Sequence, residues 1–547
     1  MINDTVAASA HSAAEAAQAV LHNVFAFDDQ HPLLFTQFYF WAFFAIVLLA
    51  LAAIGRSRIL LRNAFLFFVS VFFYYKTSGD FTMLLIVATA LSYFVGLRVG
   101  NAVAKMPAGS PAPRRAKLWV GAGVVVNLLV LCYFKYAYLV VDMVNQIAGT
   151  SFEVHDYVAE LGNAIFGEGR FSVDYIWLPV GISFYTFQCI SYLMDIYRRR
   201  IEPLRNFLNY GFYVSFFPQL VAGPIVRANE FVGQITKPYF LSRRWFGIAV
   251  FWIINGLAKK IILADFLAVN FADRVFSNPT MYGGFENFSA LFVYSLQVYA
   301  DFSGYTDIAI GVALIMGFYL PINFNSPYKA TNCGGFWKRW HISLSKWLQD
   351  YLYISMGGNR TASFGTYAVI FTIAVVGTIL SGSVWVAVAV VAVAGWCVVE
   401  AILRPDKRKG ITSNVNRMNT MLLGGLWHGA SWSFVMWGAI HGVYQVIEDA
   451  VRPIREKTEK HFSIKKDCFS YKLGHIIITD ILVGIAWIFF KMDSFMDALR
   501  YIFRMLTRPD FWVLHDGSIF LHGLNQAQML VLVSAVLILL AFVSCST

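Results

Sequence analysis

Apolar runs close to the roughly 20 residues that an α-helix needs to cross a bilayer recur along the chain. They lie at 38–54, 64–78, 81–97, 118–140, 176–196, 245–267, 288–320, 364–380, 383–403, 475–491 and 527–544. Two further runs, 207–223 and 421–447, are long enough but rich in Gly, Pro and polar groups. The pattern predicts an all-α fold, a polytopic membrane helical bundle of about 11–13 membrane segments, some of them re-entrant or broken. No internal repeat or low-complexity linker interrupts it. Residues 38–547 therefore read as a single polytopic domain after an amino-terminal segment, 1–37. That segment holds no Lys or Arg, so it lacks the basic n-region of a cleavable signal peptide, and the run from Phe38 is expected to be a retained first helix.

Composition agrees with the pattern. Of 547 residues, 58% are hydrophobic and 14% charged, where a soluble chain has about 25% charged residues; mean hydropathy is +0.59. Forty-three Lys and Arg against 32 Asp and Glu leave a net charge of +11. In a membrane protein such an excess reports cytoplasmic loops rather than nucleic-acid binding. The six cysteines are scattered, with no spacing for a zinc site or a disulfide framework.

Basic residues orient the chain. Arg56, Arg58 and Arg62 follow the first run, Arg98 to Lys117 the third, Arg198 to Arg205 the fifth and Arg404 to Lys409 the ninth. Segment 141–175 is acidic, with Arg170 its only basic residue. The amino terminus and 141–175 are thus expected outside, and the basic loops in the cytoplasm. Both flanks of 207–223 and of 421–447 are basic, which a single crossing does not allow. "PQLVAGP" at 218–224 and "GGLWHGA" at 424–430 carry the breakers of re-entrant or interrupted helices. His428 is therefore expected where a helix is interrupted.

Two other stretches stand out. "QVYADFSGYTDIAIG" (297–311) places Asp301 and Asp307 inside an apolar run, either along a polar pathway or as buried hydrogen-bond anchors. "FWKRWHISLSKWLQDYLYISMGGNR" (336–360) is predicted as one amphipathic helix along the cytoplasmic surface. Helical stepping puts Trp337, Trp340, Leu344, Trp347, Leu348, Tyr351 and Leu352 on its apolar arc, and Lys338, Arg339, Ser343, Lys346, Gln349 and Asp350 opposite. His341 falls at the edge of that arc. By periodicity alone it is either packing or chemistry, and the basic face suits lipid headgroups or the phosphates of a nucleotide-bearing donor.

"DFSGYTDIAIG", "FNSPYKATNCGGFWKRWHISLSKWLQDYLYISMGGNR" and "LLGGLWHGASWSFVMWGAIHG" together resemble the membrane-bound O-acyltransferase family, and within it the bacterial alginate O-acetyltransferase branch. "LPVGISFYTFQCISYLMDIYRRRI" (178–201) and "FPQLVAGPIVR" (217–227) resemble that branch too, so the likeness spans roughly residues 80–490. The resemblance implies a bundle with a central transmembrane funnel or tunnel and two histidines near its narrow part. The family's near-invariant histidine maps onto His428 and its second polar position onto His341. It further implies a multi-pass protein of the bacterial cytoplasmic membrane, with acetyl-CoA as donor substrate rather than bound cofactor and no metal. The implied partners are membrane lipid, an exported glycan and extracytoplasmic transfer proteins, with no nucleic acid.

The chemistry of the residues fits those roles. Transfer from a thioester to a hydroxyl needs a base, a donor to the developing oxyanion and exclusion of water. Histidine suits the base, and a water-poor setting favours its neutral form. His428 is expected to be the general base, with His341 orienting the acceptor or the other histidine, or steadying the thioester carbonyl. Trp340, Trp427, Ser345, Asn332, Lys338 and Arg339 are the candidate substrate contacts. No GxSxG elbow appears; Cys333, eight residues before His341, is a weaker candidate for an acyl-enzyme, and His441 reads as structural. Peptidoglycan acetylation, D-alanylation of teichoic acid and a transporter lined by Asp301 and Asp307 are the competing readings. A membrane glycosyltransferase would want a cytoplasmic carboxylate-bearing domain that the pattern does not show.

Overall fold

The computed structural model describes residues 26–28, 32–105, 107, 110–167, 169–515, 525–531, 533–534 and 537. Most of the expected extracytoplasmic segment 1–37 and most of the run 527–544 lie outside the described residues. Among those described the fold is all-α. Helices α1 (Phe38–Ile54), α2 (Ile59–Ser78), α3 (Thr82–Ala104) and α4 (Arg114–Ala148) fall on the first four apolar runs. α5 (Ile182–Tyr197) and α6 (Phe207–Ser215) follow, then α7 (Arg243–Leu257), which continues through two π-helical stretches to Ala272. After α8 (Gly284–Ile315) come the short α9 (Cys333–Trp337) and α10 (Ile342–Trp347). The chain then forms α11 (Phe364–Ser381), α12 (Val384–Leu403), α13 (Arg408–His428), α14 (Trp432–His461), α15 (Phe469–Lys491) and α16 (Phe495–Thr507).

Six stretches among the described residues are long and apolar enough to cross a membrane: Ile59–Ala104, which is α2 and α3 together, Arg114–Ala148, Arg243–Ser277, Gly284–Ile315, Val384–Leu403 and Phe469–Lys491. α1 and Phe364–Ile379 are apolar but shorter. The expected 11–13 segments are fewer by this measure because α5, α6 and α13 are short or spend positions on buried polar groups such as Gln188, Asp195 and Asn416. α12 is the opposite case. It is apolar except for Glu400, which pairs with Arg404 at its basic carboxyl end, and it buries no residue, as a helix solvated by lipid tails does.

The chain packs as two compact units, each drawn from three separated stretches, so no single sequence boundary divides the expected domain 38–547. The first holds Met1–Val130, Leu178–Ile253 and Ile308–Leu320. Its core is aromatic: Phe212 lies 5.0 Å from Phe318, which stacks on Phe231 at 5.5 Å. The run 207–223 is broken, as its composition predicts. α6 stops at Ser215, Phe216 is not helical, and a single turn, Phe217–Leu220, follows. Gln219, fully buried, satisfies the stranded carbonyl of Tyr213 at 2.7 Å. One assignment is corrected here. Arg62, read as a loop charge, lies in α2 with 4% of its surface exposed. Its guanidinium donates to the carbonyls of Ile235 and Lys237, both at 2.9 Å, and lies over Phe318. It serves the carboxyl end of the helix Ala228–Ile235, where unpaired carbonyls favour a cation.

The second unit holds Leu131–Trp177, Ile254–Asp307 and Pro321–Thr547. Four tryptophans, Trp337, Trp340, Trp437 and Trp487, centre its core. The single helix predicted over 336–360 is not formed. The chain breaks between α9 and α10, where His341 takes a left-handed conformation with φ of 42°. The burial pattern survives the break: Trp337, Trp340, Leu344, Trp347, Leu348 and Tyr351 are buried, while Lys338, Lys346 and Gln349 are exposed. Ser343, expected on the polar face, is buried. α13 and α14 form an antiparallel hairpin packed backbone to backbone. A Cβ on Gly438 would meet the Met421 carbonyl oxygen at 2.3 Å, and one on Gly425 the Phe434 carbonyl oxygen at 2.3 Å. Small residues let membrane helices approach this closely.

The hairpin yields a direct test. Gly438→Ala is expected to destabilise the protein by about 1–3 kcal/mol through overpacking against backbone that has no room to yield, read as a lower thermal midpoint in detergent. Gly410→Ala, on α13 with nothing within 4 Å, should leave the midpoint unchanged or raise it slightly, because alanine favours the helix.

Candidate active site

α13 ends at His428 because Gly429 is extended and Ser431 starts the next helix, its hydroxyl accepting from the Ser433 N–H at 3.2 Å. The break strands the last carbonyls of α13, and α4 supplies their donors. Tyr136 Oη donates to the Leu426 carbonyl at 2.7 Å, and Lys135 Nζ donates to that of Trp427. The Lys135 ammonium also lies 5.3 Å from the Trp427 ring centre. A cation is favoured at this end of a helix, and against an indole face.

The His428 ring is held by aromatic edges: Trp427 at 4.7 Å, Trp437 at 5.0 Å and Phe490 at 5.2 Å. Packing sets its position, and no hydrogen bond from the described residues occupies its nitrogens. It is only partly buried and lines a cavity of about 660 Å³. That cavity runs along the α13–α14 hairpin. On α13 it extends from His428 back to Arg417, eleven residues or about 16 Å at 1.5 Å per residue. On α14 it extends from Trp437 to Arg455. Character changes along the way, from indole and imidazole near the helix break to charge at the far end. There Arg417 donates to Asp449 at 2.6 Å, Arg452 pairs with the same carboxylate, and Arg455 lies 3.4 Å from Glu459. Hydrogen bonds from Lys466 and Tyr471 hold the Glu459 carboxyl below the usual carboxylate range, so it remains an anionic partner for Arg455.

His341 sits deeper, 1% exposed and off the cavity wall. Its Nδ1 lies 3.1 Å from Asn323 Oδ1, and its ring packs edge-on to Phe302 at 4.7 Å. Trp427 stands between the histidines, 6.3 Å from the His341 ring and 4.7 Å from that of His428. Asn332, Lys338 and Ser345 line the cavity with His428. Trp340 and Arg339 do not: Trp340 is a core residue stacked on Phe336 at 5.5 Å and against Trp487 at 5.1 Å, and Arg339 reaches the Asn325 carbonyl at 3.1 Å. Cys333 is buried and off the wall, and burial, aided by the Glu448 carboxylate, pushes its thiol up to about 12. A thiolate nucleophile there is disfavoured. His441 is fully buried among Phe336, Trp337 and Trp437, as a packing residue is.

Reading the sequence missed Lys135, Tyr136, Asn323, Arg417 and Asp449. Lys135 carried a usable signal, since a lysine inside a membrane-length apolar run is costly and marks a partner. Asn323 carried none. Of the two carboxylates in 297–311, Asp307 is an anchor. It accepts from Lys259 Nζ at 2.7 Å and from Asn255 at 2.8 Å, while Lys259 also donates to Ser303. Asp301 is half exposed and pairs with Lys260 at 2.6 Å. Neither lines the cavity.

A helical membrane protein with a histidine-bearing cavity at a helix break is the class these features define. Residues 198–379 match the profile described as MBOAT, membrane-bound O-acyltransferase family. The chain is 36% identical over 481 residues to a probable alginate O-acetylase, AlgI, of Azotobacter vinelandii, covering 87% of this chain and 78% of the relative. It is 30% identical over 500 residues to a peptidoglycan O-acetyltransferase of Helicobacter pylori, covering 86% and 79%. A teichoic acid D-alanyltransferase of Streptococcus thermophilus is 27% identical over 279 residues, 50% of this chain and 57% of the relative. The chain belongs to the membrane-bound O-acyltransferase family.

The Lys259–Asp307 pair separates anchoring from transport. Asp307→Ala leaves a buried ammonium unpaired and should cost about 3–5 kcal/mol, measured as loss of folded protein on heating. The double change Lys259→Met with Asp307→Leu should recover most of that stability and retain activity; a stable but inactive double variant would assign the pair to a substrate path.

Proposed function

We propose that this protein moves an acetyl group from acetyl-CoA, bound on the cytoplasmic side of a bacterial inner membrane, to a hydroxyl of an exported polysaccharide, directly or through an extracytoplasmic transfer protein. The observation that carries the reading is the shared cavity, in which the His428 imidazole and the cationic side chains Lys338, Arg417, Arg452 and Arg455 line one continuous wall. A phosphate-bearing thioester pairs its anionic head with the cations and lays its acyl end toward the indoles and His428. The relatives' names support the acyl group. Similarity to the O-acetyl-transferring relatives covers most of the chain, whereas that to the D-alanyltransferase covers half of it. The expected funnel or tunnel belongs to this proposal, as the route by which an acceptor on the opposite side reaches the histidine.

In this reading His428 takes the hydroxyl proton as the acceptor oxygen attacks the thioester carbonyl carbon. The tetrahedral oxyanion collapses, the carbon–sulfur bond breaks, and the imidazolium returns its proton to the departing thiolate. The products are the acetyl ester and free CoA, with no covalent enzyme intermediate. Trp427, Trp437 and Phe490 pack against the ring and would narrow the approach of water to it, which in this reading limits hydrolysis of the donor. A transporter leaves the pairing of two histidines about Trp427 without a role.

Purified protein in nanodiscs, given acetyl-labelled acetyl-CoA and a glycan or soluble partner, should release CoA and pass on the label. His428→Ala is expected to lose about 10²–10⁴-fold of that rate with its thermal midpoint retained. A folded His428→Ala variant that matches wild type would make the histidine structural, and a wild type that never consumes the donor would overturn acetyl-CoA. Cys333→Ala should turn over like wild type, because the thiol takes no part; loss of activity with retained folding would restore an acyl-enzyme route.

A further inference from the structure

We propose that Asn323 is a positioning residue for acyl transfer, holding His341 in the single tautomer that carries its proton on Nδ1 and its lone pair on Nε2. The proposal rests on the reading of His341 and His428 as parts of the transfer site. No sequence motif or relative's name singles out Asn323, and it precedes the break at His341 by eighteen residues.

The argument begins with a group whose role is not adjustable. The Ser343 backbone N–H can only donate, and it points at a terminal atom of the Asn323 carboxamide at 3.1 Å. That atom must be the oxygen, so the amide orientation is decided by the backbone. The Ser343 hydroxyl donates to the same oxygen at 2.9 Å. His341 Nδ1, also 3.1 Å from this acceptor-only atom, must then be the donor. A neutral imidazole carries one N–H, so Nε2 is left as the acceptor.

The same residue holds the backbone. The Asn323 carbonyl accepts from the Ile342 N–H at 2.8 Å, and the Asn325 N–H donates to the Arg339 carbonyl at 2.9 Å. These bonds bracket His341, whose left-handed backbone is strained for a non-glycine residue. Asn323 is 1% exposed, yet its Nδ2 finds no partner among the described residues. The Asn323 amide is oriented by what its oxygen accepts.

The tautomer narrows the chemistry. With Nε2 an acceptor, neutral His341 can take a hydrogen bond from the acceptor hydroxyl or from an N–H of His428. It cannot donate from Nε2 to the oxyanion of a thioester adduct. Of the three roles open to His341, orienting the hydroxyl or the partner histidine remains, and steadying the carbonyl is removed. Among the described residues Phe302 from α8, Trp427 from α13 and the Asn323 amide face its ring, and Ser343 bonds that amide. Among titratable groups His428 bears on it electrostatically, and Lys135 in turn on His428.

Asn323→Asp and Asn323→Leu separate positioning from packing. A carboxylate at this place still accepts from Ser343 and from Nδ1–H, and it stabilises the imidazolium. Activity that needs a free Nε2 lone pair should then lose its acidic limb at higher pH, by about one unit or more, with folding retained. Asn323→Leu should lower kcat about 10–100-fold, by analogy with the loss of a hydrogen-bond partner that orients a metal-ligating histidine, with KM for acetyl-CoA little changed. An Asn323→Asp enzyme whose pH profile overlays wild type would overturn the role. The lock itself is read without turnover. Solid-state ¹⁵N spectra of histidine-labelled protein in lipid, with His341→Gln assigning the signal, should show protonated Nδ1 in wild type and mixed tautomers in Asn323→Leu. A wild-type His341 protonated on Nε2 overturns the proposal while leaving acetyl transfer standing. Absent donor consumption by wild type, it is the assigned reaction that fails, and the spectra still decide the tautomer.

Discussion

A helix that stops among apolar side chains leaves its last carbonyls with no water to receive them, and α13 stops at His428. Each such group costs about 1–3 kcal/mol if it stays unpaired, so the break exists only where donors are supplied. Lys135 and Tyr136 supply them from α4, at Trp427 and Leu426. With those bonds made, Gly429 can extend and Ser431 can start the return helix. The histidine at the last helical position is then presented to the cavity instead of being buried in a continuous helix. Gly425 and Gly438 bring the two arms close enough for Trp437 to reach the same ring. The site is thus a consequence of how one interrupted helix is terminated.

The same solution recurs at several places where the chain departs from regular helix. Gln219 closes the break after α6, Arg62 serves the end of Ala228–Ile235, and Asn323 holds the reversal at His341. Lys259 and Asp307 pair where α7 loosens into π-helix. In each case a polar side chain is buried to satisfy groups that a membrane-embedded chain cannot leave to solvent; for Gln219 the partner is six residues away, and for the others it lies in a distant stretch. Arg62, Lys259 and Asp307 lie inside stretches that remain long and apolar enough to cross a membrane, so the fold tolerates such buried polar groups within its spans.

Chemistry follows from the direction of the cavity. Charge gathers about 16 Å from the histidine along α13, where Arg417, Asp449 and Arg452 pair with one another. Indoles gather at the break. In the proposed reading an anionic head would lie at the charged end, where Lys338, Arg417, Arg452 and Arg455 outnumber the carboxylates Glu448 and Asp449 on the wall, and a small acyl end would lie toward the indoles. The Trp427 ring packs against both histidine rings, and its carbonyl accepts from Lys135.

By itself the sequence determined the helical class, the positions of the principal apolar runs and the two interruptions at 207–223 and 421–447. Those properties are local: they follow from hydropathy over about 20 residues and from Gly and Pro within a few positions. It also marked His428 and the buried arc of Trp337, Trp340, Leu344 and Trp347, because 3.6-residue periodicity persists even where the helix does not. It misplaced the continuity of 336–360 and the fate of Arg62, since both depend on partners more than fifteen residues away. Only the tertiary structure decided which carbonyls Lys135 and Tyr136 satisfy, that Trp340 packs while Lys338 lines the cavity, and that Asn323 faces His341. Those are pairings between distant stretches, and a hydrogen bond across the fold leaves no periodic trace in the chain that makes it.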